Sequence, residues 1–213
     1  ALNNYTGTPT GAAHAPVERP PQTGAPMFTL FHAPGACSLA PHIALEWIGE
    51  PYEAKRVRYQ SAELLAVNPA GSVPVLQRAD GWTLTQAGAI LHFLARRYPQ
   101  AGLGGEDTLE GQAELDRWSS FLTGDLHPSF YPLFMPDRYT TATDPVALEA
   151  TREAGRMLVR KRLALLDAHL AERAFILGDR RSVMDAYAFP MLRWAIAKLP
   201  EGLRDAPRVA GLH

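Results

Sequence analysis

The sequence predicts an α/β domain followed by an all-α domain. Two patterns carry this reading. Between Met27 and Pro99, short apolar runs of strand type alternate with segments of helical spacing. Beyond a Pro- and Gly-rich stretch at 99–107, only helical spacing remains. A chain of 213 residues is long enough for one large domain or two small ones, each with a real core. The organisation read from these patterns is a leader or tag at 1–26, an α/β domain at 27–98, a linker at 99–107 and a helical domain at 108–213.

The leader reading rests on "ALNNYTGTPTGAAHAPVERPPQTGAP", which has no apolar periodicity and too little apolar surface to offset its ordering entropy. It has no charged head with a following apolar run, so it does not read as a secretory signal. Chain order then gives "MFTLFH" as a strand and "SLAPHIALEWIG" as a helix with Leu39, Ile43 and Trp47 on one face. Pro41 is tolerated near the first turn, and Gly49 suits the helix end. "PYEAKRVRY" reads as a second strand with poor alternation, and "SAELLAVNP" as a short helix ended by Asn68-Pro69. "VPVLQR" and "WTLT" are strands around an Asp80-Gly81 turn. Thr85 is the expected cap of a helix that carries Ala87, Ile90, Leu91 and Leu94 and stops before Pro99. In the second half, Leu115, Trp118 and Leu122 mark one helix; Leu163, Leu166 and Leu170 mark part of a long one. Ser182 and Asp185 have capping-box spacing before a third, which Pro190 should bend or shorten.

Composition narrows the function classes. The formal net charge of −1 leaves no electrostatic footprint for nucleic acid or an acidic membrane surface. Apolar runs are too short to span a bilayer. One cysteine cannot close an internal disulfide, which points to a reducing compartment, the cytoplasm. The histidines show no metal-ligand spacing, and no phosphate-binding loop, dinucleotide fingerprint or serine elbow occurs. No metal is expected.

The lone Cys37 follows a Pro-Gly turn and precedes a helix, where the helix dipole and free N–H donors favour a thiolate. The competing reading is a small buried hydrophobe. Pro34 stands where a CxxC motif would have its first cysteine, so a resolving thiol must come from another molecule, such as glutathione. In "AGSVPVL", a cis bond before Pro74 would turn the Val73 backbone toward an extended peptide-like ligand; a trans proline entering an edge strand is the other reading. "LTQAGAI" begins a helix, whose N-terminus suits a carboxylate, with Gln86 offering an amide and Ala87 its backbone N–H. His127 is a candidate donor or base, against a structural or exposed histidine. Phe130, Tyr131 and Phe134 read first as packing aromatics, and otherwise as lining for a second ligand.

Together "APGACSLAPHIAL", "NPAGSVPVL", "LTQAGAI", "LHPSFYPLF" and "SVMDAYAF", in this order over residues 27 to 200, resemble the glutathione S-transferase family, most closely its bacterial beta class. The resemblance implies a thioredoxin-like N-terminal domain, an all-helical C-terminal domain and a homodimer. It implies glutathione as co-substrate, paired with the backbone at Val73 and Pro74 and held by its γ-glutamyl end at Gln86 and Ala87. Its sulfur would lie near Cys37, with His127 beside the active site. Ser120 and Gly124 stand where the class often has Asn and Ser, and Gln86 where it often has Glu. The implied reaction is conjugation of glutathione to a small-molecule electrophile, with thiol–disulfide exchange on a disulfide through Cys37 as a further activity. The second reading is a binding or regulatory protein that keeps the fold without catalysis.

Overall fold

The computed structural model describes residues 26–213, so the stretch read as a leader lies, except for Pro26, outside the described residues. The first half is a four-stranded sheet of order β2-β1-β3-β4. Its strands are β1 (Phe28–His32), β2 (Tyr52–Arg56), β3 (Val75–Arg78) and β4 (Thr83–Thr85). β2 runs parallel to β1, whereas β3 is antiparallel to both β1 and β4. The helices are α1 (Leu39–Ile48), α2 (Ala62–Val67) and α3 (Ala87–Arg97).

Period-two alternation divides the sheet's side chains between two faces. Phe28, Leu30 and Leu76 face α1 and α3, where they pack with Ala44, Leu45, Ile90, Leu91 and Leu94. Phe31 and Val75 point the other way, into a smaller cluster with Leu64 of α2, Val57 and Val73. Each fully buried Leu or Ile contributes roughly 1.5–3 kcal/mol. β2 explains its own weak pattern: "YEAKR" is a mostly exposed edge strand, defined by backbone pairing with β1. In α1 the buried stripe is Ala40, Ala44 and Leu45, one step round from the predicted face, while Leu39, Ile43 and Trp47 are half-buried. Gly49 ends that helix at φ 81°, the left-handed conformation that glycine adopts without strain.

The second half is helical: α4 (Leu109–Phe121), one π-helical turn (Leu122–Leu126), α5 (His127–Ser129), α6 (Tyr131–Phe134), a 3₁₀ turn (Pro136–Arg138), α7 (Pro145–His169), α8 (Val183–Lys198) and α9 (Pro207–Ala210). Both bonds of the Ser182–Asp185 capping box are present. The Asp185 carboxylate also accepts from the Ile176 N–H at 2.9 Å, so it ties the preceding loop to the helix start. Pro190 does not shorten α8, which runs on to Lys198. Burial outweighs the lost backbone bond here: Met184, Ala188, Met191, Leu192 and Ala195 are all fully enclosed. α8 packs directly on α1 and α3, so one hydrophobic core runs through both halves. Leu103, in the stretch between the halves, is buried, and its carbonyl accepts from the Val183 N–H at 2.9 Å. No helix among the described residues is long and apolar enough to cross a membrane.

Candidate active site

Cys37 sits in the loop between β1 and α1. The fully buried Ser38 shapes that loop: its hydroxyl accepts from the Ala33 N–H at 3.1 Å and donates to the Ala33 carbonyl at 3.2 Å. Gly35 takes φ 75° to make the turn, and the Trp194 indole N–H of α8 donates to its carbonyl at 2.8 Å. The second half of the chain thereby holds the cysteine loop of the first. Cys37 remains partly exposed, and its thiol donates to the Val73 carbonyl at 3.8 Å.

Position at a helix start does not make this sulfur a thiolate. Burial pushes the Cys37 thiol up to about 11, and a bond from its own backbone N–H offsets only part of that. The helix dipole contributes about 0.3–1 kcal/mol, which is less than one pKa unit. The expected thiolate preference is thus reversed, because desolvating the charge costs more than the dipole returns.

The loop before β3 is organised by the buried Asn68. Its amide donates to the Ser72 carbonyl at 2.7 Å, its side-chain oxygen accepts from the Ala70 N–H, and its own carbonyl accepts from the Gly71 N–H. The Val73-Pro74 bond is cis. The Val73 N–H has no acceptor among the described residues.

α3 begins at Ala87, and its cap position is Gln86, not Thr85, which ends β4. Gln86 lies at φ 70° and ψ 116° and makes no side-chain cap bond. This is a strained conformation for a residue with a side chain. The Ala87 and Gly88 N–H groups have no acceptor among the described residues, so the helix presents free donors at its positive end. Gly88 is required by close packing: a Cβ there would lie 2.9 Å from the Thr123 methyl group.

These three segments form one wall of an open cavity of about 1240 Å³. Opposite are His127, Tyr131, Phe134, Arg138, Tyr187 and Trp194. His127 Nδ1 lies 2.9 Å from the Tyr187 hydroxyl, and its ring is flanked by Tyr131 and Trp194. Burial lowers His127 to about 4, so the imidazole is neutral near pH 7, while burial raises the Tyr187 phenol.

The structure brings together Cys37, Val73, Pro74, Gln86, Ala87 and His127 on this cavity. Ser120 and Gly124 are not among its lining. Ser119 and Thr123 take those places, while Ser120 faces a separate depression with Arg117, Phe121 and Leu165. One residue along a helix is about 100° of rotation, enough to move a side chain to another face. Of the aromatics, Tyr131 and Phe134 line the cavity and Phe130 is fully buried behind them. Sequence reading missed Ser38, Tyr187 and Trp194, which carry no local signal. Asn68 had one: Asn before Pro-Ala-Gly suits an Asx turn. Among the described residues no group of three or more His, Cys, Asp or Glu side chains is placed to hold a metal ion.

Residues 35–97 match the family model for the glutathione S-transferase N-terminal domain, and residues 149–212 that for the C-terminal domain. A glutathione S-transferase of Xanthomonas campestris pv. campestris is 42% identical over 169 residues, covering 78% of this chain and 81% of that protein. The structure of a sphingomonad glutathione S-transferase complexed with glutathione superposes with a TM-score of 0.73 at 37% identity, over 86% of this chain and 90% of the other. A bacterial beta-class glutathione S-transferase of Sphingomonas chungbukensis gives 0.74 at 35% identity, over the same shares.

Proposed function

Because the chain belongs to the glutathione S-transferase family, we propose that it conjugates glutathione to small electrophiles in the cavity around Cys37. The supporting observation is the alignment of unpaired backbone donors with the sulfur. Among the described residues the Val73 N–H and the first N–H groups of α3 have no acceptor and share one cavity, and Cys37 Sγ lies 3.8 Å from the Val73 carbonyl. A γ-glutamyl carboxylate fits the N-terminus of α3, the tripeptide backbone fits along Val73, and the thiol reaches Cys37. Hydrogen bonds to charged ligand groups contribute about 1.5–3 kcal/mol each.

A protonated Cys37 suits the role of donor. On binding, its single S–H turns from the Val73 carbonyl to the glutathione thiolate and stabilises it, the glutathione proton having gone to solvent. The thiolate forms a C–S bond with the electrophilic carbon while the leaving group departs with its bonding pair. Neutral His127 stands across the cavity as a hydrogen-bonding group toward the second substrate. Electrostatic placement of this kind is a major source of transferase rate.

Thiol–disulfide exchange is the secondary activity. Cys37 attacks the glutathione sulfur of a mixed disulfide, expels the other thiolate and becomes glutathionylated; a second glutathione thiolate then frees it as glutathione disulfide. With a pKa of about 11, the Cys37 thiolate is roughly one part in several thousand at pH 7.4, so exchange is slower than conjugation. A homodimer, as the family resemblance implies, in the reducing cytoplasm to which the single cysteine points, completes the reading. Steady-state conjugation of a chlorodinitrobenzene, with glutathione varied, tests it. Saturation in glutathione supports the proposal. No turnover together with no calorimetric binding at millimolar glutathione would leave the non-catalytic reading.

A further inference from the structure

The half of the cavity opposite the glutathione donors has an unusual charge balance. Among the described residues no Asp or Glu lines the cavity, and its two histidines, His92 on the α3 wall and His127 opposite, are both lowered by burial and so neutral near pH 7. That leaves Arg138 as the single formal charge among the described lining residues. Its guanidinium has no hydrogen-bond or ion-pair partner among the described residues, so it is free to meet a ligand. The aromatic wall leads from the sulfur to this cation. Trp194 donates to the carbonyl of Gly35 beside Cys37, and its ring meets the Phe134 ring edge-on at 5.3 Å. Arg138 follows on the 3₁₀ turn just after Phe134 and Met135. Lys198 lies over the outer side of Phe134, with its Nζ 5.5 Å from the ring centre, and adds positive potential to the same wall.

An unpaired guanidinium at the end of an aromatic wall fits one chemistry: a flat apolar body carrying a carboxylate. Resting on the transferase reading above, we propose that Arg138 selects the electrophile, and that the second substrate is an aromatic or similarly flat electrophile bearing an anionic group. The tripeptide's γ-glutamyl carboxylate has other donors, the free N–H groups at the start of α3 on the opposite wall.

The test uses two product-like ligands, S-benzylglutathione and S-(para-carboxybenzyl)glutathione, titrated into the full-length protein and the Arg138→Ala variant. The wild-type protein is expected to bind the carboxylated ligand about tenfold more tightly, and Arg138→Ala to abolish that preference while leaving S-benzylglutathione unchanged. Equal binding of both ligands by the wild-type protein would overturn the proposal and leave the transferase reading standing. Equal weakening of both by Arg138→Ala would also overturn it, by assigning Arg138 to the tripeptide. Binding of neither ligand would remove the transferase reading itself, and this inference with it. Thermal melting of the variant, expected unchanged for an exposed side chain, separates these outcomes from misfolding.

Discussion

A thiol held near pKa 11 is almost wholly protonated at neutral pH and reacts only through its small thiolate fraction, and this sets the expectations for Cys37. Its alkylation rate should rise about tenfold per pH unit up to pH 9 without levelling off, because the thiolate fraction stays small throughout. A plateau near neutral pH in an iodoacetamide series would contradict the burial argument. Cys37→Ala removes the S–H donor, so conjugation kcat should fall about tenfold, the equivalent of one modest hydrogen bond, and exchange should vanish. His127 gives a pH signature of opposite origin. Its folded pKa of about 4 lies below the ordinary 6.5, so between these values the unfolded chain binds the proton first. Stability therefore falls as pH drops from about 6.5 toward 4, by at most about 3 kcal/mol from this residue. Urea midpoints measured across that range should slope less in His127→Gln, and parallel slopes would exclude the burial effect. His32, His92 and His169 are lowered too, so comparison with the variant is what isolates His127.

Elements were legible in the sequence wherever a side-chain pattern or a cap carries them. β1, β3 and the box at Ser182–Asp185 announce themselves because alternation and capping chemistry are local. The start of α3 was misplaced by one residue, since Gln86 reaches the cap position through a strained backbone and makes no cap bond that its identity would advertise. The cavity face of α4 was misread for a related reason: Ser119 and Ser120 are chemically identical, and only packing decides which one points inward. That packing is testable at Gly88. The Thr123 hydroxyl donates to the Ser119 carbonyl at 2.7 Å, which fixes its methyl group against α3. Gly88→Ala should cost about 1–3 kcal/mol, and adding Thr123→Ser should restore most of it. Denaturant titration of the single and double variants checks this; a neutral Gly88→Ala would mean that the helices separate freely. At the capping box, Asp185→Ala leaves the Ile176 and Ser182 N–H donors buried without acceptors. A loss of at least about 3 kcal/mol is expected in the same titration.

For the molecule as a whole, α8 decides the behaviour. Local pattern predicted two successive domains, and nothing in either segment discloses that α8 would fill a core shared with α1 and α3, because that pairing joins residues far apart in the chain. The shared core predicts one cooperative unfolding transition, with far-ultraviolet circular dichroism and tryptophan fluorescence coinciding; separated midpoints would show two independent units. It also explains how the cavity is built from both halves: Trp194 restrains the Cys37 loop, and His127 with Arg138 faces the free backbone donors at Val73 and the start of α3. On the proposed function, glutathione lies in this cavity with its sulfur against Cys37. Its most direct test is the rate of Cys37 alkylation at increasing glutathione, read by intact mass. Saturable protection at millimolar or lower glutathione is expected, whereas a rate unchanged through the millimolar range would exclude that placement.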